Sequence, residues 1–255
     1  MDDSGSNARY RLAVDMARKA GDTLLAFRRD PIEVSVKGAQ DFVTRADRAV
    51  EDFIRAEVAR QFPGDAVLGE EQGGAEVDRL WVVDPIDGTI NFIRGIAAYA
   101  VSIAYVERGE TQIGVIQIPA LGECFAARKG AGATCNDAPI RVSTCADLGM
   151  ARIAAGYAQR GDKAAHLAVL ERLLQAGSDI VKVNGAAYCL AMTAAGRLDG
   201  YCERELMSWD VLAGLLLVRE AGGKTRDFGA QGLLARDHVV ASGPALFDAL
   251  TRAAG

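Results

Sequence analysis

From Asn7 to Phe27 the apolar residues Leu12, Met16, Ala20, Leu24 and Phe27 recur at the spacing that places them on one helical face, and Pro31 ends the pattern. A second helix starts near Thr44 and carries Val50, Phe53, Ile54 and Val58 on one side. Between them, SVKGAQD reads as a polar loop with a glycine hinge. Beyond the turn Phe62-Pro63-Gly64-Asp65 the period shortens, and AVLG, LWVV, AYAVSIAYV, TQIGVIQI and GECFAAR read as successive strands, some buried on both faces. The second half alternates again: a strand near 152–155, a helix over 163–175, a strand near 180–183 and a helix over 186–195. The stretch WDVLAGLLLVREAGG then predicts a deeply buried helix, apolar on most sides and closed by Gly-Gly. Helices and strands mixed in this way predict a layered α/β architecture in two halves, 1–140 and 141–255.

Composition narrows the function. With 255 residues, 50% of them hydrophobic, the chain can bury a sizeable core, and a formal net charge of -5 disfavours nucleic acid or an anionic membrane as the main partner. The start MDDSGSNARY is acidic and polar, unlike a signal or transit peptide, and no apolar run is long enough for a bilayer, so a cytoplasmic location is expected. Five scattered cysteines without a C-x-x-C pair fit reduced thiols. With only two histidines, His166 and His238, and no G-x-S-x-G, a His/Cys zinc site and Ser-His-Asp hydrolysis are both disfavoured. AGGKT ends like a phosphate-binding P-loop, but Val218 stands where the first glycine belongs and the segment closes a helix.

The candidate chemistry lies in WVVDPIDGTINF, residues 81–92. Asp84 and Asp87 bracket Pro85 where the LWVV strand is expected to stop, a geometry that can present both carboxylates and the Ile86 carbonyl to one side. Oxygen ligands at this spacing suit a hard cation such as Mg²⁺, and the backbone N–H groups of Gly88 and Thr89 can meet an anion. An acidic turn with Asp87 capping a helix explains the same residues. The other acids are equally two-sided. Glu70 and Glu71 in VLGEE suit a solvated loop, Asp47 suits a capping box with Thr44, and Asp210 suits the positive end of a helix dipole.

Four segments together resemble the signatures of the inositol monophosphatase family: WVVDPIDGTINF, the WDVLAGLLLVREAGG helix, DFVTRAD and VLGEE, in the family's order and separation. The resemblance implies an αβαβα sandwich of the sugar-phosphatase type. It implies that Glu70, Asp84 and the Ile86 carbonyl bind one Mg²⁺, that Asp84, Asp87 and Asp210 bind a second, and that a third, weaker ion sits near Glu70. Four crowded carboxylates would repel one another without cations, which makes the implied site physically coherent.

The activity implied is hydrolysis of a phosphate monoester by metal-activated water, with Thr89, hydrogen-bonded to Asp47, and Glu70 orienting and deprotonating that water. Gly88 and Thr89 would hold the phosphate. Glu203 matches a family glutamate that accepts bonds from substrate hydroxyls, which favours inositol 1-phosphate or a related polyol or sugar phosphate. A glutamate exposed at a strand end is the alternative reading. Gly185 and Ala186 match a segment where the backbone approaches the substrate ring, although Asn184 and Gly185 depart from the family's glycine and hydroxyl residue. Lys37 matches a family lysine near the active site. Histidinol-phosphate phosphatase, fructose-1,6-bisphosphatase and 3'-phosphoadenosine phosphatase are the rival activities, and a regulatory or scaffolding protein on the same fold is the rival class. Inhibition by lithium and a homodimer are further implications of the resemblance.

Overall fold

The computed structural model describes residues 3–29, 34–38, 41–157 and 161–255, with 3–4, 34–38 and 41–43 described by their backbone alone. The apolar stripe near the start forms α1 (Asp3–Phe27). The expected polar loop that follows is instead an antiparallel hairpin of β1 (Val34–Gly38) and β2 (Asp41–Thr44), with Val36 opposite Phe42. Its period of two is short and interrupted by glycine, so composition alone reads it as a loop. Pro31 and the side chain of Lys37 lie outside the described residues. Thr44 caps α2 (Arg45–Gln61), and α1 and α2 bury Leu12, Met16, Leu24, Val50 and Ile54 together against one face of a sheet.

That sheet has seven strands in sequential order: β3 (Ala66–Gly69), β4 (Arg79–Asp87), β5 (Ala100–Glu107), β6 (Glu110–Ile118), β7 (Glu123–Arg128), β8 (Ala133–Cys135) and β9 (Ala138–Pro139). β3 and β4 run parallel, and the remaining neighbours are antiparallel. Between β4 and β5 the chain makes the short helix α3 (Thr89–Arg94).

The second sheet takes β10 (Arg152–Ala155), β11 (Asp179–Val181), β12 (Gly200–Leu206), β13 (Lys224–Thr225) and β14 (Asp237–Ser242) in the order β11-β10-β12-β14-β13. The helices of this half are α4 (Lys163–Gln175), α5 (Ala186–Ala194), α6 (Ser208–Glu220) and α7 (Phe247–Ala254). α5 and α6 lie between the sheets. Leu190, Val211 and Leu215 share one core with Leu80, Val82 and Ile116 of the first sheet and Tyr201, Val239 and Ala241 of the second. A helix sandwiched this way needs apolar residues all round, as the α6 sequence supplies. α4 and α7 cover the far face, where Leu173 and Leu250 meet Ile153 and Val240.

The result is five layers, helix, sheet, helix, sheet, helix, the αβαβα arrangement expected. The first sheet ends at Pro139 and the second begins at Arg152, while the core around α5 and α6 runs across both. Among the described residues no helix is long and apolar enough to cross a membrane, and the five cysteines are free thiols.

Candidate active site

β4 does not stop at LWVV as expected. It continues through Pro85 and Ile86 to Asp87. Pro85 has no N–H to give to the ladder, and the pairing shifts so that Asp84 faces Ser102 while Asp87 faces Ala100. Three steps along β4 thus oppose two along β5. In an unbroken strand residues three apart point to opposite faces, and the extra residue of this bulge returns Asp87 to the face of Asp84. Asp84 and Asp87 are both nearly inaccessible, at 2% and 6% exposure.

The bulge is held from several sides. Asp84 Oδ1 accepts the Ile86 N–H at 2.9 Å, and the Thr89 hydroxyl donates to the Ile86 carbonyl at 2.9 Å. Gly88 follows at φ 81°, where a Cβ would stand 2.9 Å from the Ala98 carbonyl, so glycine is required on both counts. Asn91 Nδ2 donates to the carbonyls of Ala98 and Asn184, both at 2.6 Å, and so ties α3 to the loop before α5.

Asp87 does act as a cap, but of another helix than expected. Its Oδ1 accepts the N–H of Ala186 at 2.9 Å and its Oδ2 that of Tyr188 at 3.1 Å, which holds the N-terminus of α5. Gly185 makes the approach possible: it sits at φ 122°, and a Cβ there would be 2.9 Å from Asp87 Oδ2. The missing hydroxyl at position 185 thus has a local reason.

Asp210 arrives on α6, where its Oδ2 accepts the Met207 N–H at 2.7 Å. The buried Ser102 hydroxyl donates to the Trp209 carbonyl at 3.0 Å, docking the start of α6 on the strand residue that faces Asp84. Ser102 and Asn91 escaped the sequence reading. The available signal was a lone serine inside AYAVSIAYV and an asparagine in the first turn of an apolar helix.

Glu70 follows β3 and its N–H donates to the Val83 carbonyl at 3.1 Å, next to Asp84. Asp47 closes the capping box of α2, its Oδ2 accepting from the Thr44 N–H at 2.7 Å and the Thr44 hydroxyl at 2.6 Å. The expected Thr89–Asp47 hydrogen bond is not formed: the Thr89 hydroxyl donates to the Ile86 carbonyl, and Asp47 accepts from the Thr44 N–H and hydroxyl.

The carboxylates act on one another through their charges. Burial raises the Asp84 pKa well above the ordinary carboxylate range, and the charges of Glu70, Asp87 and Asp210 push it further, as does a hydrogen bond shared with Glu70. Burial lifts Asp87 and Asp210 to about 7 each, against the N–H bonds from Tyr188, Ala186 and Met207. Asp47 is raised to about 6, also by burial. Glu203 on β12 is raised to about 7 by burial, while its Oε2 accepts the Tyr201 hydroxyl at 2.6 Å, and its charge acts on both Asp87 and Asp210. Glu203 is therefore a part-buried member of this cluster rather than an exposed strand end. His166 and His238 line a cavity of about 110 Å³ beside α4 that Glu203 also lines, and both have their pKa lowered by burial.

A profile of the inositol monophosphatase family matches residues 7–254. The chain belongs to the inositol monophosphatase family. An inositol-1-monophosphatase of Mesorhizobium japonicum is 40% identical, over 97% of this chain and 96% of its own. The protein named Nus factor SuhB in Pasteurella multocida is 37% identical, over 93% and 92%. Among solved structures, the extragenic suppressor protein SuhB of Bartonella henselae superposes with a TM-score of 0.90 at 36% identity, covering 97% and 98% of the two chains. An IMPase of Thermotoga maritima gives 0.87 at 33% identity, covering 97% and 96%. Membership in the inositol monophosphatase family supports phosphatase activity toward small phosphate esters.

Proposed function

We propose that this protein is a Mg²⁺-dependent phosphomonoesterase acting on inositol 1-phosphate or a related polyol or sugar phosphate. The observation that carries the reading is the mutual influence of Glu70, Asp84, Asp87 and Asp210, with the pKa values of the three aspartates raised by burial and by neighbouring carboxylate charge. Such a cluster concentrates negative charge, and its donors are all oxygens, the set that suits a hard divalent cation. Among the described residues no three Asp, Glu, His or Cys side chains already stand close enough together to hold a metal ion. Asp84, Asp87 and Asp210 are each braced by backbone N–H groups, yet Asp210 Oδ1 and the second lone pair of the Ile86 carbonyl stay available as donors. The residues fit the ions that the family implies: Glu70, Asp84 and the Ile86 carbonyl for the first, Asp84, Asp87 and Asp210 for the second, with a third near Glu70.

Bound cations would supply Lewis acidity toward the phosphoryl group and neutralise its charge. The chain supplies the rest. Glu70 takes the proton of the attacking water. Thr89 orients that water through its hydroxyl oxygen, whose lone pairs stay free while its proton bonds Ile86. Asp47 holds the end of α2 beside them. The N–H groups of Gly88 and Thr89 donate to phosphate oxygens, because those at the start of α3 have no acceptor within the helix. Glu203, with Oε2 engaged by Tyr201, presents Oε1 to a substrate hydroxyl, and Gly185 and Ala186 form the wall beside it.

Phosphate release with Mg²⁺ from a panel of inositol 1-phosphate, histidinol phosphate, fructose 1,6-bisphosphate and 3'-phosphoadenosine phosphate, ranked by kcat/KM, tests the reading. Inositol 1-phosphate is expected first, and release from none of them sinks it. Lithium inhibition and a homodimer belong to the same reading, read out in the same assay and by light scattering. A second reading, a regulatory role, is favoured by the relatives named Nus factor SuhB. It predicts that an inactive Asp87→Asn chain still performs the cellular task.

A further inference from the structure

Glu51 is a buried carboxylate that the proposed chemistry does not use. It lies on α2 one turn after Asp47, is 0% exposed, and faces the turn that carries Glu70. Its Oε2 accepts the Glu71 N–H at 2.9 Å and its Oε1 the Gln72 N–H at 3.1 Å. One turn further on, Arg55 donates Nε to Glu51 Oε1 at 2.9 Å. The same guanidinium reaches the Val67 carbonyl at 3.1 Å and the Gly73 carbonyl at 2.6 Å.

One carboxylate–guanidinium pair therefore holds the segment from Val67 to Gly73 at both ends and in the middle. The turn is closed by reciprocal bonds between Gly69 and Gly73, at 3.0 and 2.9 Å, and Glu70 is fixed on its other side by Val83. Glu51 presses so closely that a Cβ on Gly69 would stand 2.3 Å from its carboxylate carbon. Both oxygens of a carboxylate accept, whereas an amide in the same place would turn its NH2 toward one of these donors. We infer that Glu51 is a positioning residue for Glu70, setting the backbone of VLGEE so that the Glu70 carboxyl meets Asp84. The inference rests on the proposed role of Glu70 at the cation.

Glu51→Gln keeps the size and loses the multiple acceptance. Mn²⁺ affinity by titration calorimetry is expected to weaken about tenfold or more, the range typical when a ligand's support is removed. kcat should fall with KM little changed, and exchange of the Glu71 and Gln72 amides should quicken. In a Glu70→Gln background Glu51→Gln should cost no further Mn²⁺ affinity, because both changes act through one ligand. A role confined to stability would lower Tm and leave Mn²⁺ affinity and kcat of the folded protein intact. That result overturns the inference, as does an equal further loss in the Glu70→Gln background. Wild-type Mn²⁺ affinity in Glu70→Gln alone overturns the ligand role of Glu70, and the inference with it. Should Glu51→Gln fail to fold, Arg55→Lys keeps the charge but gives up the fork to Val67 and Gly73. It should show the same pattern, and wild-type Mn²⁺ affinity in that variant overturns the inference.

Discussion

Asp84, Asp87 and Asp210 each accept a backbone N–H, so an amide oxygen in the same place can keep the fold while the charge is lost. Asp84→Asn and Asp210→Asn should therefore each lower kcat by about 100-fold or more, beyond the loss seen when only a ligand's support is removed. In EDTA the same variants should melt no lower than wild type, because each removes one of the repelling charges. A variant that keeps full turnover would remove that residue from the ligand set. Glu203 acts on a different step. Glu203→Gln should reduce kcat/KM for a polyol phosphate by about 10-fold, the order expected when one hydrogen bond is weakened, and leave p-nitrophenyl phosphate unaffected. An equal loss on both substrates would make Glu203 a structural member of the cluster. At this scale the sequence nominated the carboxylates only in company, since each alone suited a turn or a cap. The Thr44–Asp47 box was legible because it spans three residues. The partners of Asp87 were not, because the α5 amides stand 99 and 101 residues away.

The elements that carry these side chains were legible in proportion to their length. α4, α5 and α6 fall within a residue or two of the periodic segments that announced them. β8, β9 and β13 have two or three residues each, too few to show a period, and β1 with β2 was hidden by its glycine. The β4 bulge depends on pairing with β5, which no local pattern contains. The junction of α5 with β4 makes its own prediction. Gly185→Ala adds a methyl group at φ 122°, 2.9 Å from Asp87 Oδ2, whereas Gly222→Ala at φ 88° meets nothing within 4 Å. The first should cost about 1–3 kcal/mol and weaken Mg²⁺ activation by moving Asp87. The second should cost about 1 kcal/mol of backbone strain alone, with Mg²⁺ activation unchanged. Thermal melts and Mg²⁺ titrations of both variants separate strain from the push on Asp87, and equal Mg²⁺ responses would deny the contact.

In the whole molecule the carboxylates come from both halves. Glu70, Asp84 and Asp87 belong to the first sheet and its loops, and Glu203 and Asp210 to β12 and α6 of the second. Closing the five layers therefore gathers negative charge at their junction, a cost that depends on pH. In the fold Asp87, Asp210 and Glu203 stand at about 7 and Asp84 is raised well above its ordinary value, against ordinary values of 3.8 to 4.5. A folded pKa above the unfolded one means that the folded chain holds more protons between the two values. The associated stability is fully present below about pH 4 and is lost as pH rises through 7. Each extra proton so held makes stability fall by about 1.4 kcal/mol per pH unit across that window. In EDTA the melting temperature should thus decline from pH 5 to pH 8, and the Asp84→Asn/Asp210→Asn double variant should decline less steeply. Saturating Mg²⁺ should flatten the wild-type curve, because cations reward the ionised carboxylates that protons would otherwise neutralise. A wild-type melting temperature that holds steady from pH 5 to pH 8 in EDTA would mean that the carboxylates do not share one field, and the cation site proposed from their mutual influence would lose its support.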